Sequence, residues 1–193
     1  MATRKLCIGL TGRMASGKGE VARILQGSGF SYISLSDIVR REAARAGGAV
    51  SRARMQDIGN RLRAEGGAGV LGRMVREAVE AAAGRHWVID GIRNPAEVLE
   101  LRRIAGFFLV GIECSVSTIL ARMKARGRAS DAVAEQELRA ALDREWGLGE
   151  PAGGQQVGPT LALADFSIDN NGTLAELREH LAGVLEKIGA GHE

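Results

Sequence analysis

Seven residues, Gly12-Arg13-Met14-Ala15-Ser16-Gly17-Lys18, fit the pattern G-x-x-x-x-G-K, and their flanks limit the fold more than anything else in the chain. Lys5-Leu6-Cys7-Ile8-Gly9-Leu10 reads as a buried strand, and Val21, Ile24 and Leu25 then recur at helical spacing. Between a strand and a helix, the glycines let the backbone curl so that successive N–H groups point at one anion. The helix that follows aims its positive end at the same place. Gly12 through Lys18, with Gly19 and Glu20 behind them, are therefore expected to cradle the phosphates of a nucleotide. Lys18 is expected to be a partly exposed charge reaching the β- and γ-phosphates. The alternative is a glycine-rich turn that happens to end in lysine.

Such a loop usually continues with Ser or Thr, whose hydroxyl holds magnesium; here Gly19 and Glu20 stand there. Magnesium would then rest on phosphates, water and an acidic residue elsewhere. The run Ser16-Gly17-Lys18-Gly19 resembles the S-G-K-G of adenylate kinase and its nucleoside monophosphate kinase relatives, where Thr, not Glu, usually follows.

The chain has 193 residues, 45% of them hydrophobic and only 4% aromatic, so a single domain with an aliphatic core is expected. A net charge of +3 suits anionic small molecules and does not point to nucleic acid. Cys7 and Cys114 sit in apolar runs and read as buried thiols of a reducing compartment. There is no signal pattern and no apolar run long enough to span a membrane, so the cytoplasm is the expected location.

Along the chain, 30–35 reads as a second strand, with Ser36-Asp37 capping a helix from Ile38. Ile33 through Arg40 resembles the acceptor side of adenylate kinase-like enzymes. Asp37 also aligns with the acid that follows the second strand in dephospho-CoA kinases, where it is the proposed base. A plain helix cap is the other reading. Residues 47–53 read as a loop, Met55, Ile58 and Leu62 as a short helix, and Val70 to Ala82 as a longer amphipathic one. The stretch 41–84 exceeds a minimal crossover and is expected to be an acceptor-binding helical insert. Gln56, Asn60 and Arg63 are weak candidates for touching the acceptor; a solvated helix face is the favoured reading.

His86 to Asp90 reads as a buried strand ending in an acid, which places Asp90 where a magnesium-bound water is held. Asn94 and Pro95 then start a helix. Asp90-Gly91-Ile92-Arg93 resembles the D-G-F-P-R of adenylate kinases, one residue shorter, and implies that Arg93 anchors an acceptor phosphate; a surface arginine in a turn is the alternative. Phe107 to Cys114 is a fourth strand, with a helix from Ser117. Arg122 through Arg128 resembles the start of the lid in these kinases, which implies that one or two of Arg122, Arg126 and Arg128 close over the γ-phosphate. Residues 122–160 are thus expected to be lid-like, with 147–160 an unstructured and mobile loop.

Asp165 to Asp169 is a short last strand, and Thr173 and Glu176 form a capping box for a final helix. This tail looks like that of dephospho-CoA kinases, where the asparagine after the strand lies near adenine; Asn170 would inherit that place. The alternative is a turn asparagine in left-handed geometry. The chain more closely resembles P-loop proteins related to dephospho-CoA kinase that share its S-G-K-G-E and D-G-I-R-N-P runs.

The expected fold is α/β, a five-stranded parallel sheet with helices on both faces and active-site groups at the strand C-termini. The expected activity is transfer of phosphate from ATP, with magnesium, to a small nucleotide-like acceptor, foremost a (deoxy)nucleoside monophosphate. The alternatives are a dephospho-CoA kinase, a kinase of a modified base or nucleic-acid hydroxyl, and a nucleotide-gated switch that transfers nothing.

Overall fold

The computed structural model describes residues 5–45, 51–84, 86–126 and 135–190; the side chains of Arg52, Arg126 and Ala190 fall outside the description. Five parallel strands, β1 (Leu6–Thr11), β2 (Ser31–Ser34), β3 (His86–Ile92), β4 (Phe107–Glu113) and β5 (Phe166–Asp169), form one sheet in the order β2-β3-β1-β4-β5. The strand alternation splits the core between the two faces. Cys7, Ile89 and Leu109 face one cluster, and Ile8, Val88 and Val110 face the other.

The first face is covered by α2 (Leu35–Arg45), α3 (Arg52–Gly66), α4 (Val70–Ala81) and α5 (Pro95–Leu101). The second is covered by α1 (Lys18–Gly27) and α9 (Leu174–Ala190). Beside the loop, α6 (Val116–Arg126) and α7 (Glu135–Trp146) pack Ile119, Met123, Leu138 and Leu142 into a small cluster of their own. The largest fully buried side chains are aliphatic or Met123, as the scarcity of aromatics implied.

Several local boundaries differ from the sequence expectation, each for a visible reason. Helix α2 starts at Leu35, three residues early, because Ser34 accepts the Ser36 backbone N–H on its Oγ (3.2 Å) and does the capping. Asp37 is therefore not the cap. Ser51 caps α3, which runs 15 residues and includes the expected short helix. Ser115 accepts the Thr118 N–H (3.1 Å), so α6 begins at Val116.

Residues 147–160 are not a free loop. They contain most of a short helix, α8 (Val157–Leu161). The strap before it is tied down by Asn94, whose Nδ2 donates to the carbonyls of Ala152 (3.0 Å) and Gly154 (2.7 Å). The expected helix start at Asn94 is formed, as a full capping box with Glu97, and so is the expected capping box at Thr173–Glu176. Among the described residues, no helix is long and apolar enough to cross a membrane.

Candidate active site

The glycine loop leaves the C-terminal end of β1, the central strand, between the ends of β3 and β4. Its shape depends on backbone conformations that side chains resist. Gly12 has φ +139°, and a Cβ there would meet the Ile112 carbonyl oxygen at 2.3 Å. Gly17 has φ +110°, and a Cβ would strike Asn170 Nδ2 at 2.1 Å. Ala15, at φ +56°, is the one non-glycine with positive φ among the described residues.

Lys18 is only 9% exposed, and its ammonium donates to the carbonyls of Gly12 and Arg13, both at 2.7 Å. It is thus more buried than the sequence suggested. Burial holds its pKa below the usual lysine value, opposed by the negative fields of Glu145 and Asp90. Two loop N–H groups are already engaged: Met14 donates to Glu145, and Ser16 donates to the Arg13 carbonyl at 3.2 Å. The side chain of Ser16 is buried with its Oγ unpartnered among the described residues.

Asp90 lies in β3, paired in register with Ser34 of β2. Tyr32 donates to its Oδ2 at 3.3 Å, while Oδ1 is buried without a hydrogen-bond partner among the described residues. Gly91 turns the chain at φ +81°, and Arg93 follows the strand end. The Arg93 guanidinium faces Glu145 Oε1 at 3.1 Å and donates to Gln155 Oε1 at 3.3 Å.

Glu145, absent from the sequence expectations, is fully buried and also accepts the Met14 backbone N–H on Oε2 (2.6 Å). One carboxylate from α7 thereby joins the glycine loop to the arginine after β3. Trp146, next in sequence, carries the Arg13 guanidinium over its ring at 4.2 Å. The only sequence hint was the pair of polar and aromatic residues ending a helix, and nothing there named their partners.

Asn170 is buried, and its Nδ2 donates to the Ser16 carbonyl at 2.6 Å. It clamps the loop from the end of β5 and does not adopt left-handed geometry. Arg122 lies in the same corner, donating to Cys114 Sγ (3.4 Å) and to the Gly172 carbonyl (3.2 Å). Asn170 and Arg122, with Ala15, Gly17, Glu20 and Leu174, border a pocket of about 340 Å³ against the loop. Glu20 itself pairs with Arg23. The Arg126 side chain and all of Arg128 lie outside the described residues.

A second cleft, of about 280 Å³, opens between α2, α3 and the end of β3. Leu35, Val39, Met55 and Leu71 supply its apolar lining; Arg40, Arg63 and Arg93 supply charge, and among the described residues no carboxylate lines it. Gln56 and Arg63, favoured as solvated, are each only 4% exposed. They are buried because α3 lies over the cleft. Arg63 Nε and NH2 both donate to Glu97 Oε1, at 2.9 and 2.7 Å. Glu97 Oε2 in turn accepts the N–H groups of Arg93 (2.8 Å) and Asn94 (3.1 Å), so this buried carboxylate is saturated. Asn60 Nδ2 donates away from the cleft, to Glu150 Oε2 of the strap (2.6 Å). Asp37 is 44% exposed and ion-paired with Arg40.

A family model described as an AAA domain matches residues 11–139, well over half of the chain and including the glycine loop, Asp90 and Arg93. The chain belongs to this AAA domain family. It is also 33% identical over 187 residues to a UPF0200 protein of Methanoculleus marisnigri, covering 96% of this chain and 98% of the relative. The matched relatives are thus UPF0200 proteins and not dephospho-CoA kinases by name.

Two solved structures show what fold this AAA domain has. Shikimate kinase from Acinetobacter baumannii, in complex with shikimate, superposes with a TM-score of 0.57 at 17% identity, covering 98% of this chain and 96% of that one. A gluconokinase from Sinorhizobium meliloti does so with 0.59 at 16%, covering 99% and 100%. The AAA domain described here has the fold of P-loop kinases.

Proposed function

We propose that this AAA domain is an ATP-dependent phosphotransferase whose acceptor is a small nucleotide-like anion, foremost a (deoxy)nucleoside monophosphate. One observation carries the reading: two separate anion-ready sites meet at Arg93. On one side stands the glycine loop with Lys18; on the other is a cleft lined by Arg40, Arg63 and Arg93, whose paired carboxylates Asp37, Glu97 and Glu145 are not among its described lining residues. A loop that only gated a switch would have no use for the second site. At about 280 Å³ the cleft matches the small end of ligand sites, roughly 300–1,000 Å³, and suits a monophosphate better than the much longer dephospho-CoA.

In this reading the loop amides and Lys18 hold the β- and γ-phosphates, and the base of ATP lies against Arg122 and Asn170. The residues present fit a magnesium ion held chiefly by phosphate and water. Asp90 offers a buried, unpartnered Oδ1, and no cage of three or more His, Cys, Asp or Glu exists among the described residues. When bound, magnesium neutralises phosphate charge. A phosphate oxygen of the acceptor attacks the γ-phosphorus as the bond to the bridging oxygen breaks, leaving ADP and a nucleoside diphosphate. That oxygen is already an anion, so Asp37 has no proton to remove from it and acts by holding Arg40. Arg93 anchors the acceptor phosphate, and Glu145 sets its position. Residues 41–84 serve as the acceptor insert and 122–160 as the lid-like region.

The test is a coupled ADP-release screen over ribo- and deoxyribonucleoside monophosphates and dephospho-CoA. Turnover with a monophosphate is the expected result. Turnover with dephospho-CoA alone reverses the choice of acceptor, and tight ATP binding with no acceptor-dependent release favours the switch.

A further inference from the structure

The place between the two anion-ready sites is taken by a carboxylate. Glu145, at the C-terminal end of α7, is fully buried, and its two oxygens reach both sites at once. Oε2 accepts the backbone N–H of Met14 in the glycine loop at 2.6 Å, and Oε1 lies 3.1 Å from Arg93 NH1. Of the neighbouring charges that act on Lys18, that of Glu145 is the largest, so the carboxylate stands close to the ammonium as well. A loop N–H, an arginine and a buried lysine are the donors that a phosphoryl group needs as it passes from a nucleotide to an acceptor. A second contact ties the same end of α7 to the same loop, with the Arg13 guanidinium 4.2 Å over the ring of Trp146.

Two anions cannot share this place. A γ-phosphate brings further negative charge against a buried carboxylate, with little water between them to screen the repulsion. The β-phosphate of ADP ends one phosphate short of it.

Resting on the reading of the loop as an ATP site, and not on which acceptor is used, we propose that Glu145 occupies the seat of the transferred phosphoryl group and latches the site. The γ-phosphate displaces the carboxylate from the Met14 N–H, and its departure releases Arg93 from α7 to the acceptor. ADP leaves the latch in place. The nucleotide triphosphate thereby opens the acceptor side, and the diphosphate product allows it to close.

The experiment measures equilibrium binding of ADP and of the non-hydrolysable imido analogue of ATP, each with magnesium, to the wild type and to Glu145→Gln. The glutamine keeps the volume and an oxygen for the Met14 N–H but drops the charge; Arg93, 26% exposed, keeps access to water. The Kd of the analogue should fall about tenfold, the difference between a charge-assisted and a neutral hydrogen bond, while that of ADP changes by less than about threefold. The wild type gives a second readout without any substitution. Of its two tryptophans, Trp146 stands on the latch and Trp87 pairs with Cys7, toward the other end of the sheet. The analogue should shift the tryptophan emission, and ADP should leave it near that of the protein alone. If Glu145→Gln fails to melt cooperatively, this emission comparison decides. Analogue binding that is unchanged or weaker in Glu145→Gln, both nucleotides tightened alike, or emission that does not distinguish them overturns the latch and leaves the kinase reading standing. A wild type that binds neither nucleotide overturns both.

Discussion

Residues 12–18 keep their shape chiefly through the backbone: positive-φ glycines and carbonyls turned onto Lys18, with Asn170 and Glu145 bracing them. The acceptor cleft keeps its shape through long side chains from distant parts of the chain. Arg63 of α3 meets Glu97 of α5. Arg144 of α7 meets Asp57 of α3 and Glu150 of the strap. A backbone-built site loses function before it loses stability when one side chain is removed. A site that rests on a buried ion pair, as this one does at Arg63–Glu97, loses both together.

The largest effect should come from the loop. Lys18→Ala is expected to cut phosphoryl transfer by about three decades, the scale of losing one preorganised charge at a transition state. Because Lys18 is buried, the carbonyls of Gly12 and Arg13 lose their donor too, so a drop in stability of about 1 kcal/mol accompanies it. Wild-type ADP release by a folded Lys18→Ala protein would remove the loop from the chemistry.

Arg63→Met breaks the opposite kind of site. It leaves Glu97 buried with half its partners gone and should cost about 3 kcal/mol, read from the urea midpoint. An unchanged midpoint would mean that the cleft is not held by this pair.

Arg93→Ala tests the junction. The acceptor's KM should rise by about one to two decades, from loss of a charge-assisted contact worth about 1.5–3 kcal/mol, while the KM for ATP barely moves. Equal rises in both would place Arg93 on the nucleotide and not the acceptor. Asp37→Asn should lower kcat/KM for a monophosphate by less than about tenfold, since only the support of Arg40 is lost. A loss of several decades would mark Asp37 as a general base and the acceptor as a hydroxyl.

The smallest effect is expected at Gly19. A Cβ there meets nothing within 4 Å, so Gly19→Ser fits and supplies the hydroxyl that such loops usually carry. The magnesium concentration for half-maximal activity should fall about threefold. A rise would show that the glycine is required.

The same contrast explains what could be read beforehand. The strand, loop and helix around Gly12 and Lys18 were legible because glycine placement and apolar period are local signals. Asn94-Pro95 announced a helix start for the same reason. Glu145 and Glu97 were not legible, and Gln56 was only a weak candidate, with a solvated helix face favoured. Each is an ordinary polar residue on a helix, and only the tertiary fold brings Glu145 to Met14 and Arg93, or turns Gln56 inward. The strap at 150–156 looked unstructured because its order comes from Asn94 and Asn60, far away in sequence, and not from its own composition.

The clamp beneath the loop sets a timetable for the ribosome. The glycine motif is synthesised well before Asn170, which binds the Ser16 carbonyl and comes 154 residues later. At about 5–20 residues per second, the motif waits on the order of 10–30 seconds for its last support. Until β5 has emerged and joined β4, the nascent chain carries the whole G-x-x-x-x-G-K sequence without the contact that holds it in shape. A prematurely terminated product would bear the signature of a nucleotide site and lack a finished one.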